Sequence, residues 1–169
     1  MKRLFLAIWP DHRTRCELEK IIENLDPLKL KRVNSDNLHA TLVFIGSVEE
    51  SMVPAIKQSL SGISVMAFTV VFDELCYWRK PKVLCLTSSF PPEEMMRLAE
   101  AINASLSDFD FKLDTRPYRP HVTLARKARR KPELEFSPVR WHADSFCLVE
   151  SVTKSEGVCY QVIYTWRFE

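Results

Sequence analysis

The sequence predicts an α+β fold built as two intertwined lobes, a duplicated pseudo-twofold arrangement in which two antiparallel sheets form a central cleft and helices lie outside. Three observations predict it. A short pattern, His-x-Thr-Leu, occurs at His39-Ala40-Thr41-Leu42 and again, eighty-two residues on, at His121-Val122-Thr123-Leu124. Each copy lies in an apolar, β-branched run (39–45 and 121–125) that reads as a buried strand. Each is also preceded by the same order of elements (strand, proline, helix, loop), with Pro10 and Pro92 again eighty-two residues apart. A repeat of this kind packs as two like lobes and turns equivalent strands toward one cavity.

The elements follow in order. Residues 3–9 form a buried first strand, and Pro10-Asp11 opens a helix over 11–25 whose apolar stripe is Cys16, Leu18, Ile21, Ile22 and Leu25. Asp26-Pro27 ends it. A loop through Asn34-Ser35-Asp36-Asn37 leads into the first motif strand, 38–45, which Gly46 terminates. Residues 49–60, with Met52, Ile56 and Leu60 on one side, read as a second helix. Residues 65–77 read as one strand, 78–81 as a turn and 82–88 as the returning strand of a hairpin. Pro91-Pro92-Glu93-Glu94 opens a third helix to about 107, its acids in the first turn where the helix dipole favours them. The second motif strand covers 120–126, and strands at 140–151 and 158–168 close the chain around Ser155-Glu156-Gly157.

Composition narrows the function. With 169 residues and 46% hydrophobic content, the chain is expected to form a single domain over 1–169 with a core that needs no staples. The net charge of +2 does not by itself mark a nucleic-acid binder. Five widely spaced cysteines without a Cys-x-x-Cys support neither a disulfide framework nor a zinc site. The apolar run after Lys2-Arg3 stops at Pro10, too short for a signal-peptide core, and nothing is long enough to span a membrane. A reduced, cytoplasmic monomer is expected.

On a strand, side chains alternate faces, so His39 and Thr41 point one way and so do His121 and Thr123. Each motif offers an imidazole beside a hydroxyl. One His and one Thr on a strand are usually an ordinary satisfied pair. A shuffled chain of this composition would hold about 0.02 copies of the pattern, and two copies in matching contexts point to a site. No carboxylate or third histidine stands on either motif strand, so acid–base work is favoured over metal binding, and no cofactor is expected. His12 and His142 read as solvated surface groups. A free pKa near 6.5 allows one imidazole to be neutral while the other is protonated, the condition for taking a proton from water while giving one to a leaving oxygen. Two threonine hydroxyls suit a tetrahedral group with several oxygens, so phosphate is the natural candidate.

Charge around the second motif agrees. Arg116, Arg119, Arg126, Lys127, Arg129, Arg130 and Lys131 fall within sixteen residues that contain no acid. Arg119, two before His121, shares its face and is the first choice for the anion. Arg126 has the opposite parity and reaches the phosphate only if the strand bends. The rest of the run would attract a polyanion such as RNA.

The chain resembles a known family in RLFLAIWP (3–10), NLHATLVFIG (37–46) and RPHVTLAR (119–126). These look like the two-histidine (2H) phosphoesterases, and most of all their RNA 2′,3′-cyclic phosphodiesterase branch, also called 2′-5′ RNA ligases. The resemblance covers nearly the whole chain. It implies a bilobal, metal-free enzyme that opens a terminal 2′,3′-cyclic phosphate to a 2′-phosphomonoester. It makes His39 the proton donor to the leaving 3′ oxygen, His121 the proton acceptor from water, and Thr41 and Thr123 the phosphate ligands. It also implies an aromatic that stacks on a base, for which Phe5 and Trp78 are the candidates. Trp9, where an acidic or small residue often stands, and the density of the 127–131 basic run depart from the family pattern. Three alternatives compete with hydrolysis: a nucleotide or RNA-end binder without turnover, ATP-independent 2′-5′ joining at the same site, and, least favoured, a metal-dependent phosphatase.

Overall fold

The computed structural model describes residues 1–26, 30–155 and 157–169. Pro27 and Glu156, read above as part of a helix stop and of a closing turn, lie outside them. Ten strands and three helices follow in the order β1 (Lys2–Ile8), α1 (His12–Glu23), β2 (Lys31–Arg32), β3 (Ala40–Val48), α2 (Val53–Leu60), β4 (Phe68–Phe72), β5 (Glu74–Trp78), β6 (Val83–Thr87), α3 (Glu93–Ser105), β7 (His121–Arg126), β8 (Val139–Ala143), β9 (Ser145–Lys154) and β10 (Gly157–Arg167). Single 3-10 turns at Ser35–Asn37 and Glu50–Met52 lead into the first motif strand and into α2.

The main sheet runs β10-β9-β1-β3-β7-β6-β5, with β2 also on β7, and each pairing in it is antiparallel. It is two half-sheets joined at one residue pair, Ala40 opposite Val122. β1 lies beside β3 in one half as β6 lies beside β7 in the other, the pairing a duplication requires. The helices cross over: α1, which follows β1, packs on β7 and β8, while α3, which follows β6, packs on β3 and β4. Each half is thus backed by the other's neighbouring helix, and one core of Leu4, Leu6, Ile8, Leu18, Leu84, Leu86, Leu98, Ile102, Val122 and Leu124 runs beneath both.

The helices form where the apolar stripes place them. Asp11 caps α1, its carboxylate accepting from the Thr14 N–H at 2.7 Å, and Leu18, Ile21 and Ile22 are buried. The strand expectations need two corrections, both at aspartates. The run 65–77 is two strands in different sheets, β4 and β5, divided at Asp73, and 140–151 is likewise β8 and β9, divided at Asp144. β4 pairs with β8 as a small second sheet. Aspartate is a poor strand residue because its carboxylate competes for nearby backbone. Asp73 accepts from the Ser89 N–H at 2.9 Å, and Asp144 holds the Arg167 guanidinium at 2.9 Å, so each crossing is pinned. A third correction concerns Gly46. The strand continues through it to Val48, because a φ of +94° lets the glycine sit in a bulge that leaves Ile45 without a partner on β1.

Two further bulges prepare the site. Thr41 stands opposite Ala7 and Val43 opposite Leu6, which leaves Leu42 unpaired. In the same way Thr123 stands opposite Cys85 and Ala125 opposite Leu84, which leaves Leu124 unpaired. The leucine of each motif is therefore the extra residue of a β-bulge, and it and its successor both face the core. Alternation is reset beyond it. The residue five after each histidine, Phe44 or Arg126, returns to the cleft face.

Candidate functional site

The cleft lies where the two half-sheets meet. Continuing the Ala40–Val122 register by one residue each way sets His39 across from Thr123 and Thr41 across from His121. Residues one step either side of a pair share its opposite face, and the His121 charge is felt at His39, so the four motif side chains stand as one square on the cleft face. Thr41 is buried, and the other three are half-buried.

Both imidazoles are held alike. The His39 Nδ1–H donates to the carbonyl of Asn37 at 2.7 Å, and the His121 Nδ1–H donates to the carbonyl of Arg119 at 2.9 Å. A carbonyl only accepts, so Nδ1 carries the proton and Nε2 of the neutral ring keeps its lone pair. His39 Nε2 receives the Thr41 hydroxyl at 2.9 Å. Thr41 is fixed from behind, its carbonyl accepting from the buried Tyr118 hydroxyl at 3.0 Å. Burial pushes the Tyr118 pKa up, which keeps that hydroxyl a donor.

Around the square the two sides differ. His39 is walled by aromatics: Trp9 stacks on it at 5.6 Å with a 9° interplanar angle, Phe5 lies at 4.9 Å and Tyr160 meets it edge-on at 5.1 Å. Phe5, Ala7, Cys147 and Val149 form a separate small apolar cluster beneath these rings. His121 has Trp78 at 4.6 Å, and the Arg119 guanidinium lies over that indole at 5.5 Å.

Burial is the main cause that lowers both histidine pKa values. His39 is pushed down to about 4, with the His121 and Arg126 charges adding to the effect and the Asn37 carbonyl opposing it. His121 is lowered chiefly by burial and then by Arg119 and Arg126, against the Arg119 carbonyl. Stability should therefore depend on acid. Above pH 6.5 neither folded nor unfolded His39 holds a second proton. Between pH 6.5 and about 4 the unfolded chain takes one up and the folded site does not, so stability falls as pH falls, by on the order of 3 kcal/mol over the window. Urea midpoints at pH 7.5 and pH 4.5 measure this, and His39→Gln should lose much of the difference. An unchanged difference in that variant would assign the effect to other groups.

The structure brings together all eight residues singled out in the sequence and alters the standing of three. Arg126 lies opposite Val83 on the cleft side of the Leu124 bulge, the bend its parity required, and its charge is felt at both histidines. Of the two histidines Arg119 acts only on His121, and its guanidinium lies over Trp78, so Arg126 becomes the first candidate for the anion. Phe5 is 3% exposed with its ring against His39, Phe44 and Tyr160, which leaves no face for a base, whereas Trp78 is half-buried. His12 and His142 are exposed and apart from the cleft. Sequence reasoning missed Trp9 and Tyr160 as ring walls and Asn37 as a strut. The Asn37 side chain donates to the Val158 carbonyl at 2.7 Å and accepts from the Tyr160 N–H at 3.1 Å, fixing β10 beside His39. Among the described residues no group of three or more His, Cys, Asp or Glu side chains could hold a metal ion, and no helix is long and apolar enough to cross a membrane.

Comparison with known proteins identifies the family. The model of the 2′-5′ RNA ligase superfamily matches residues 12–154. The RNA 2′,3′-cyclic phosphodiesterase of Escherichia coli is 30% identical over 75% of this chain and 73% of its own. That of Thermotoga maritima is 27% identical over 99% and 96%. The crystal structure of E. coli LigT complexed with 3′-AMP superposes with a TM-score of 0.88 at 25% identity, covering 99% of this chain and 98% of that one. With the doubled motif closed into one cleft and the match spanning most of its length, the chain belongs to the 2′-5′ RNA ligase superfamily.

Proposed function

We propose that the protein is an RNA 2′,3′-cyclic phosphodiesterase that opens a terminal cyclic phosphate to a 2′-phosphomonoester by acid–base catalysis between His39 and His121, acting as a monomer and without a metal. The observation that carries the reading is the square of His39, Thr41, His121 and Thr123, with both rings held by Nδ1 so that proton exchange falls to the Nε2 atoms, the one on His39 also accepting from the Thr41 hydroxyl. The E. coli and T. maritima relatives named for this activity, and the 3′-AMP bound by LigT, support the substrate class. All five cysteines are free, in keeping with a reducing cytoplasm.

The steps follow from the site. The cyclic phosphate sits over the threonine hydroxyls with Arg126 on its oxygens. Neutral His121 takes a proton from water through Nε2, and the hydroxide attacks phosphorus opposite the 3′ oxygen. The P–O3′ bond breaks, and His39 Nε2–H protonates the leaving oxygen, so the phosphate stays on O2′. His39 is neutral in the empty site; the phosphodiester anion beside it raises its pKa and supplies the acid form on binding. The role of acid falls to His39 by family resemblance, since the square itself is near-symmetric.

Incubation of a 2′,3′-cyclic nucleotide in excess chelator, with the product isomer identified, tests this. A 2′-phosphate formed at an undiminished rate is expected. Loss of activity on chelation, or a 3′-phosphate product, would overturn the reading.

A further inference from the structure

The two motifs are alike up to their bulges and opposite beyond them. Five residues past His39 stands Phe44, 57% exposed, and residues 45–50 then end in Glu49 and Glu50. Five residues past His121 stands Arg126, and residues 127–131 are Lys, Ala, Arg, Arg, Lys. The pseudo-symmetry thus contains its own control: equivalent positions leave the cleft over an apolar, acidic side and over a basic one.

The basic side is built as one surface. Lys82, in the β5–β6 turn, and Lys127, just past β7, both have left-handed backbone (φ +53° and +59°), a conformation uncommon outside glycine and asparagine. The two turns are stitched together, the Ala128 N–H donating to the Lys82 carbonyl at 3.0 Å, and Ala128 is buried. That anchor leaves Arg79, Lys80, Lys82, Lys127, Arg129 and Arg130 exposed along one rim. Among the described residues none of the six has a carboxylate within salt-bridge distance; unpaired cations such as Lys20 and Arg140 occur elsewhere too, but these six are gathered on two turns that are bonded to each other. The rim begins at the site itself, because Val83 of the β5–β6 hairpin lies opposite Arg126.

From this continuity we infer that the rim of the β5–β6 turn and residues 127–131 is a binding track for the phosphodiester backbone of the RNA strand behind the reacting end. The strand leaves the cleft on the His121 side, and the enzyme favours oligonucleotide ends over mononucleotides. The inference rests on the phosphodiesterase reading above. Unpaired cations in a row gain affinity from each phosphate by releasing counterions, at about 0.7 of a logarithmic salt unit per contact on single strands.

The test compares two triple variants with the same change in charge: Lys127→Gln/Arg129→Gln/Arg130→Gln on the rim, and Arg13→Gln/Lys20→Gln/Arg140→Gln on the side of α1 and β8. Each is assayed on a 2′,3′-cyclic mononucleotide and on a hexaribonucleotide ending in a 2′,3′-cyclic phosphate. Binding of a labelled hexamer ending in a 2′-phosphate is followed by fluorescence polarisation. The rim variant should raise KM and Kd for the hexamers about tenfold or more, lower the salt slope by about 2, and keep mononucleotide turnover within twofold. The other variant should change neither. Equal loss on both substrates, or equal damage from both variants, would overturn the track. If the wild-type protein turned over neither substrate, the phosphodiesterase reading would fall, while the polarisation measurement would still decide the rim.

Discussion

His39→Ala and His121→Ala should each lower turnover of a 2′,3′-cyclic nucleotide by about 10²–10⁴-fold, with the protein still folded. The size follows from the two proton transfers. Without His121 the attacking water keeps its proton, and without His39 the 3′ oxygen leaves as an alkoxide. The two rings act in one step, so the double variant should be little worse than the poorer single variant. Single-turnover rates measure the loss, and a thermal scan of each variant confirms that the fold is kept. His39 needs a second variant, because its ring fills the space between Trp9, Phe5 and Tyr160 and alanine would leave a cavity there. His39→Gln keeps most of that volume and removes only the proton chemistry. Should either histidine be replaceable with less than a tenfold loss, the two-proton mechanism is wrong.

The site was legible in the sequence because its chemistry is local. His and Thr two apart on a strand must share a face, and a repeat at a fixed interval must bring two such pairs together. Failures came where strands depart from a uniform period. Counting by twos from His121 puts Arg126 on the wrong face, and nothing local announces that Leu124 is an extra residue. The signal lay in the motif itself: a leucine followed by a second core residue, Val43 or Ala125, breaks alternation in both copies. Asp73 and Asp144 were similarly readable as points where a strand changes sheets. Trp9 and Tyr160 could not have been placed. Tyr160 reaches His39 from a strand more than a hundred residues away, through a pairing of β10 with β9 and a bond to Asn37 that no local pattern encodes. Two antiparallel sheets were expected around the cleft; they are the halves of one sheet, and their junction at a single residue pair is a matter of tertiary packing.

The bulge makes the second large prediction. Arg126 is the cation whose charge reaches both histidines, and in the mechanism proposed above it faces the phosphate oxygens as they gather negative charge. Arg126→Met, which keeps the apolar stem and removes the charge, should lower kcat/KM by about 10²–10³-fold, the cost of removing one preorganised donor from a developing anion. Arg119→Met should cost less than about tenfold by the same reasoning, because that guanidinium lies over the Trp78 ring and, although its charge at His121 is lost, the backbone carbonyl that holds the ring survives the substitution. The pair also separates binding from catalysis. Loss of a ligand used equally in ground and transition states raises KM alone, whereas loss of a group that stabilises the transition state lowers kcat. Arg126 should show its effect mainly in kcat, since charge on the phosphate oxygens builds as water attacks. Equal losses from the two arginines, or a larger one from Arg119, would mean that the Leu124 bulge does not aim Arg126 at the reacting phosphate.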